Sequence, residues 1–125
     1  MKLLVVDDEQ DVEMLFRQKF RKEIRSGSLE LEFALSGEEA LRLLEDEHPP
    51  EVVYIFSDIN MPGMSGFELL DKVKDKYPRI EVSMISAYGN SDYLEKAIAS
   101  GAKEFFTKPI NFQSLKDEIS NISGN

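Results

Sequence analysis

The chain has 125 residues, 42% hydrophobic and 31% charged, which suits one globular domain with a single core. A net charge of −9 argues against nucleic-acid binding by this domain, because a phosphate backbone needs a basic face. Cysteine is absent, which excludes disulfides, thiolate chemistry and cysteine metal sites, and no apolar run approaches the roughly 18 residues of a membrane span.

The opening MKLLVVDDE turns acidic too soon for a signal peptide, so a cytoplasmic location is expected. Lys2–Val6 reads as a first strand, ended by Asp7, Asp8 and Glu9. From about Gln10 to Arg25 the apolar residues Val12, Leu15, Phe16, Phe20 and Ile24 recur at helical spacing. Arg17, Lys19, Arg21, Lys22 and Arg25 lie among them, the one basic cluster of an acidic chain. Such a cluster is ordinarily a solvated face; its functional reading is docking. Ser26-Gly27-Ser28 ends this helix.

Leu29–Leu35 alternates apolar and acidic residues, the pattern of a half-exposed strand. Ser36 can cap the next helix, with Glu39 placed for a capping box and Ala40, Leu41, Leu43 and Leu44 facing inward. His48-Pro49-Pro50 stops it. His48 is the only histidine and reads as exposed loop, so a self-contained His-to-Asp relay is not expected. Val52–Ser57 is a buried strand that ends abruptly at Asp58, followed by a Met61-Pro62-Gly63 turn and Gly66.

Helical spacing returns at Phe67, Leu70, Val73 and Tyr77, ended by Pro78. Ile80–Ile85 is a fourth strand, closing on Ser86-Ala87-Tyr88-Gly89. Asn90 or Ser91 opens another helix with Leu94, Ala97 and Ile98 inward, stopped by Gly101. Glu104–Thr107 is a brief fifth strand that meets Lys108-Pro109. A last helix from about Phe112 to Ile122 sets Phe112, Leu115, Ile119 and Ile122 on one face.

Strand and helix thus alternate five times, which predicts an α/β domain over residues 1–125. Right-handed crossovers favour a five-stranded parallel sheet of flavodoxin-like order 2-1-3-4-5, with helices on both faces. The C-terminal strand ends then share one edge, where Asp7, Asp8, Asp58, Ser86 and Lys108 collect. Two carboxylates ~4 Å apart repel by about 4 kcal/mol at an effective dielectric near 20. Three therefore need cations beside them. Lys108 supplies one charge, and an all-oxygen donor set with room for water suits Mg²⁺. An Asp beside such a metal can accept a phosphoryl group.

In register with these strand ends stand the acidic pair Asp7-Asp8, Asp58 within SDINMPGMSG, Ser86 within ISAYG and Lys108-Pro109 after GAKEFFT. Over its whole length the chain resembles the receiver domain of two-component response regulators. The resemblance implies a phosphoacceptor at Asp58 and Mg²⁺, replaceable by Mn²⁺ or Ca²⁺. The metal would be held by the side chains of Asp8 and Asp58, by Asp7 mostly through water, and by the Asn60 carbonyl. It further implies that Ser86 and Lys108 contact the phosphoryl group, with a cis bond from Lys108 to Pro109. Phe105 matches the family's switching aromatic, and Asn60 and Tyr88 match positions that tune dephosphorylation. The phosphodonor would be a histidine kinase or a histidine phosphotransfer protein. The output would be a downstream protein or a fused effector domain beyond Asn125, with a phosphorylation-dependent homodimer as a further partner state. Such a domain is a phosphoacceptor and not a turnover enzyme.

Taken singly, these residues have plainer roles. Asp7 and Asp8 suit a helix N-terminus, Asp58 a turn start, Ser86 a cap, Lys108 a surface position and Phe105 the core. A haloacid-dehalogenase-like phosphatase would carry a second Asp where Asn60 stands. A flavodoxin-like cofactor site would need a phosphate-cradling loop where Asp7 and Asp8 stand. The remaining alternative is a degenerate receiver that acts as a phosphorylation-independent interaction module.

Overall fold

The computed structural model describes residues 1–47 and 50–123. The elements run β1 (Lys2–Val6), α1 (Gln10–Lys19), α2 (Arg21–Ser26), β2 (Glu30–Ala34), α3 (Gly37–Asp46), β3 (Val52–Asp58), α4 (Gly66–Lys76), β4 (Glu81–Ser86), α5 (Ser91–Ala99), β5 (Phe105–Thr107) and α6 (Phe112–Ser123). All five strands pair in parallel, in the order β2-β1-β3-β4-β5. The expected stop of α3 falls partly on His48 and Pro49, which lie outside the described residues.

Alternation along the central strands builds two apolar layers. Leu4, Val6, Ile55, Val82 and Met84 face α3, α4 and α5. Leu3, Val5, Tyr54, Phe56 and Ile85 face α1 and α6, where Phe16, Phe20 and Leu115 complete the layer. β1, β3 and β4 are covered on both sides, which explains the nearly unbroken apolar runs of β1 and β3.

Three local expectations are corrected. The single helix expected over residues 10–25 bends at Phe20 (φ −105°, ψ 19°) and divides into α1 and α2. Phe20 is fully buried, stacked on Phe16 and edge-on to Phe112. Its N–H still donates to Phe16 O and its carbonyl accepts from Ile24 N, so the backbone groups of Phe20 itself stay paired through the bend. On α5, Leu94 and Ile98 are exposed rather than inward. Ala97 is buried as expected, and the half-buried Tyr93, four residues before it, completes the inward stripe. The cap at Ser36 forms, since its side chain accepts from Glu39 N, but Glu39 Oε2 meets Leu35 N and the reciprocal half of the box is absent. The reciprocal box is at α4, where Ser65 accepts from Glu68 N and Glu68 accepts from Ser65 N.

The same stretch seats α4 against the end of β3. Gly66 N donates to Ile59 O at 2.8 Å. A Cβ at Gly66 would lie 2.3 Å from the carbonyl oxygen of Asp58, so only glycine permits this approach. Gly63, at φ 76°, makes the preceding turn.

Candidate functional site

β1 delivers Asp7 to the sheet edge, where Asp7 N donates to Ala34 O. Asp7 Oδ1 accepts from Glu9 N at 2.9 Å, a local turn that fixes the carboxylate. β3 delivers Asp58 beside it, and Ile59 N donates to Ile85 O, which ties the following loop to β4. Asp7 and Asp58 are buried, whereas Asp8 is exposed. One carboxylate oxygen from each of the three lies within 4.8 Å of the others.

Lys108 reaches this cluster from the end of β5. Its Nζ stands 3.1 Å from Asp7 Oδ2, 3.5 Å from Asp58 Oδ1 and 3.8 Å from Glu9 Oε1. Its N–H donates to Ser86 O, and the peptide bond to Pro109 is cis. Burial works against the Lys108 charge, but the bond to Asp7 and the nearby Asp58 and Glu9 outweigh it and hold the ammonium above its usual pKa. Burial, reinforced by Asp7, pushes the Asp58 carboxyl up to about 6 although Lys108 opposes the shift. One ammonium therefore leaves the acids under-compensated. A hard divalent cation with oxygen ligands suits this donor set.

Ser86 is fully buried at the end of β4, and its Oγ accepts from Tyr88 N at 3.0 Å. Phe105 lies opposite Met84 and is half-buried on the α3–α5 side, while Phe106 faces the other layer against Phe56. Tyr88 is exposed. Asn60 is exposed too, and its Oδ1 accepts from the Tyr93 hydroxyl at 3.1 Å. All the residues expected at this edge are thus on it or on its loops. Two contacts have no counterpart in the sequence reading. Glu9 carries a signal, its adjacency to the acidic pair. Tyr93 carries none, because the neighbouring stripe of Leu94 and Ile98 is equally apolar.

The family model of the response regulator receiver domain matches residues 3–120. The chain belongs to that family. This receiver is 30% identical over 118 residues to the sporulation initiation phosphotransferase F of Bacillus subtilis, covering 94% of the chain and 90% of that protein. It is 29% identical over 125 residues to a cyclic di-GMP phosphodiesterase of Thermotoga maritima, but spans only 32% of that protein's length. Among solved structures, the response regulator TrrA of Thermotoga maritima in complex with Mg²⁺–BeF superimposes with a TM-score of 0.78 at 29% identity, covering 96% of each chain. Receivers are signalling proteins of two-component systems and not turnover enzymes. Among the described residues, no helix of this receiver is long and apolar enough to cross a membrane.

Proposed function

We propose that residues 1–125 are one cytoplasmic receiver that takes a phosphoryl group onto Asp58 with the help of Mg²⁺ and thereby switches a protein-binding face. The observation that carries this reading is the placement of Asp58. It ends a buried strand 3.5 Å from the Lys108 ammonium, with Asp7 and Asp8 beside it and the Ser86 hydroxyl at the next strand end. The phosphodonor is a phosphohistidine on a histidine kinase or a phosphotransfer protein. A likeness to a phosphotransferase of a sporulation system supports that class of donor.

In the transfer, an Asp58 oxygen forms a bond to phosphorus as the P–N bond to the donor imidazole breaks. The donor ring carries a proton on its other nitrogen, so the imidazole leaves neutral. Lys108 pairs with a transferring oxygen, which neutralises charge that develops there. Asp7, Asp8, Asp58 and the Asn60 carbonyl would hold the cation, a role the all-oxygen cluster suits. When bound, Mg²⁺ supplies further charge neutralisation at the phosphoryl oxygens.

The switch follows from what Ser86 must release. Its hydroxyl caps Tyr88 N, so a turn toward the phosphoryl group frees the loop over residues 87–90. Phe105 then moves into the vacated space, and the face of α5, β5 and α6 changes shape for a downstream protein, a fused effector or a second copy. Phosphorylation acts only through its unequal interaction with the two arrangements.

The test is intact mass and amide NMR after incubation with Mg²⁺ and acetyl phosphate or beryllofluoride, beside Asp58→Ala. We expect one phosphate of added mass that vanishes in the variant, and beryllofluoride shifts that spread from Asp58 to Ser86 and Phe105. Absence of both would leave a phosphorylation-independent interaction module.

A further inference from the structure

Tyr93 lies in the first turn of α5, yet its hydroxyl reaches the loop after β3 and donates to Asn60 Oδ1 at 3.1 Å. The ring is half-buried, edge-on to Phe67 with centroids 5.5 Å apart and edge-on to Tyr88 at 6.2 Å. Two aromatic neighbours and one hydrogen bond therefore fix both ends of this side chain. Asn60 is the first exposed residue after Asp58, since Ile59 is buried. Its carboxamide is open to solvent.

We propose that Tyr93 is a positioning residue that prolongs the phosphorylated state of Asp58 by holding the carboxamide oxygen of Asn60. This rests on the phosphoacceptor reading above. In hydrolysis, a water oxygen forms a bond to phosphorus as the P–O bond to Asp58 breaks. The Asp58 carboxylate is regenerated and inorganic phosphate leaves with the water's oxygen and protons. A carboxamide oxygen free to turn accepts a hydrogen bond from that water and aligns it. A carboxamide oxygen bound to the Tyr93 hydroxyl is kept toward α5 instead. The arrangement couples phosphate lifetime to the placement of α5, the helix that carries the exposed Leu94 and Ile98.

Tyr93→Phe removes the hydroxyl and keeps the ring packing. The measurement is the rate of phosphate loss after acetyl phosphate loading, in wild type, Tyr93→Phe, Asn60→Ala and the double variant. We expect Tyr93→Phe to lose phosphate about threefold to tenfold faster, the scale of one hydrogen bond. In the Asn60→Ala background the same change has no effect. In the unphosphorylated protein, Tyr93→Phe shifts the side-chain amide resonances of Asn60. Equal rates in wild type and Tyr93→Phe overturn the proposal, as does equal acceleration with Asn60 removed. A chain that takes up no phosphoryl group overturns the phosphoacceptor reading and this inference together, and the mass spectrum tells that case from the other two.

Discussion

Lys108 is held more closely by Asp7 than by Asp58: its Nζ lies 3.1 Å from Asp7 Oδ2 and 3.5 Å from Asp58 Oδ1. The ammonium is therefore a structural counterion for a buried carboxylate as well as a neighbour of Asp58. Lys108→Met keeps the apolar stem and removes the charge. Asp7 is then buried without compensation, at a cost of about 1–3 kcal/mol in metal-free buffer. A divalent cation at the same edge replaces the lost charge. Urea unfolding with and without Mg²⁺ should show a larger Mg²⁺-dependent gain for Lys108→Met than for wild type. Equal gains in the two proteins would refute the counterion role.

The raised carboxyl of Asp58 sets a pH dependence opposite to that of a salt-bridged acid. Burial and then Asp7 lift it from 3.8 to about 6 in the metal-free chain. Between those two values the folded state binds more protons than the unfolded one. The contribution of this group to metal-free stability therefore rises as pH falls through 6. A metal needs the carboxylate ionised, so protons and Mg²⁺ compete. Mg²⁺ titrations by amide NMR should show affinity nearly level above pH 7 and falling about tenfold per unit below 6. Asp58→Asn should bind more weakly and lose the break near 6.

Much of this was legible because chemistry and strand ends coincide. Asp7, Asp58, Ser86 and Lys108 each close an apolar run, and parallel pairing of those runs brings their ends to one edge. Pattern reading fails where two neighbouring stripes are both apolar. On α5, Tyr93 and Leu94 both stand at helical spacing from the inward Ala97, and only packing against Phe67 selects Tyr93. The bend at Phe20 was hidden for a similar reason, since a buried aromatic keeps helical spacing on both sides of it. The link from Tyr93 to Asn60 spans 33 residues, and nothing local to either announces it.

Gly66 should be the least replaceable small residue near the site. A Cβ there meets the Asp58 carbonyl oxygen at 2.3 Å and Ile59 Cα at 2.8 Å, both backbone atoms that cannot swing aside. Gly66→Ala must push α4 away from β3 and shift Asp58 with it. We expect a loss of about 2–4 kcal/mol in unfolding free energy, from overpacking against fixed atoms. Amide shifts should also move at Asp58 and Ile59. Gly27→Ala is the control. Gly27 has φ 82°, but a Cβ there would meet nothing within 4 Å, so only backbone strain of about 1 kcal/mol applies.

Away from the acidic edge, Tyr54 anchors a buried polar group under α6. Its hydroxyl donates to Glu118 Oε2 at 3.0 Å and is hydrogen-bonded to Ser83 Oγ, which itself accepts from Glu104 N. The single phenolic proton goes to Glu118, so the Ser83 hydroxyl donates to Tyr54. Lys103 Nζ stands 3.4 Å from the same Glu118 oxygen. Burial, with the Glu118 charge beside it, holds the Tyr54 phenol well above its ordinary pKa, although the bond to Ser83 opposes this. The unfolded chain ionises Tyr54 near 10, the folded chain only at higher pH. Its contribution is therefore full below about 10 and is lost as pH rises beyond that. Tyr54→Phe leaves Glu118 with Lys103 and should cost about 1–2 kcal/mol at pH 7. Guanidinium unfolding at pH 8, 10 and 11 should show the gap between wild type and Tyr54→Phe narrowing as pH climbs. A gap that stays constant would mean that this hydroxyl titrates alike in both states.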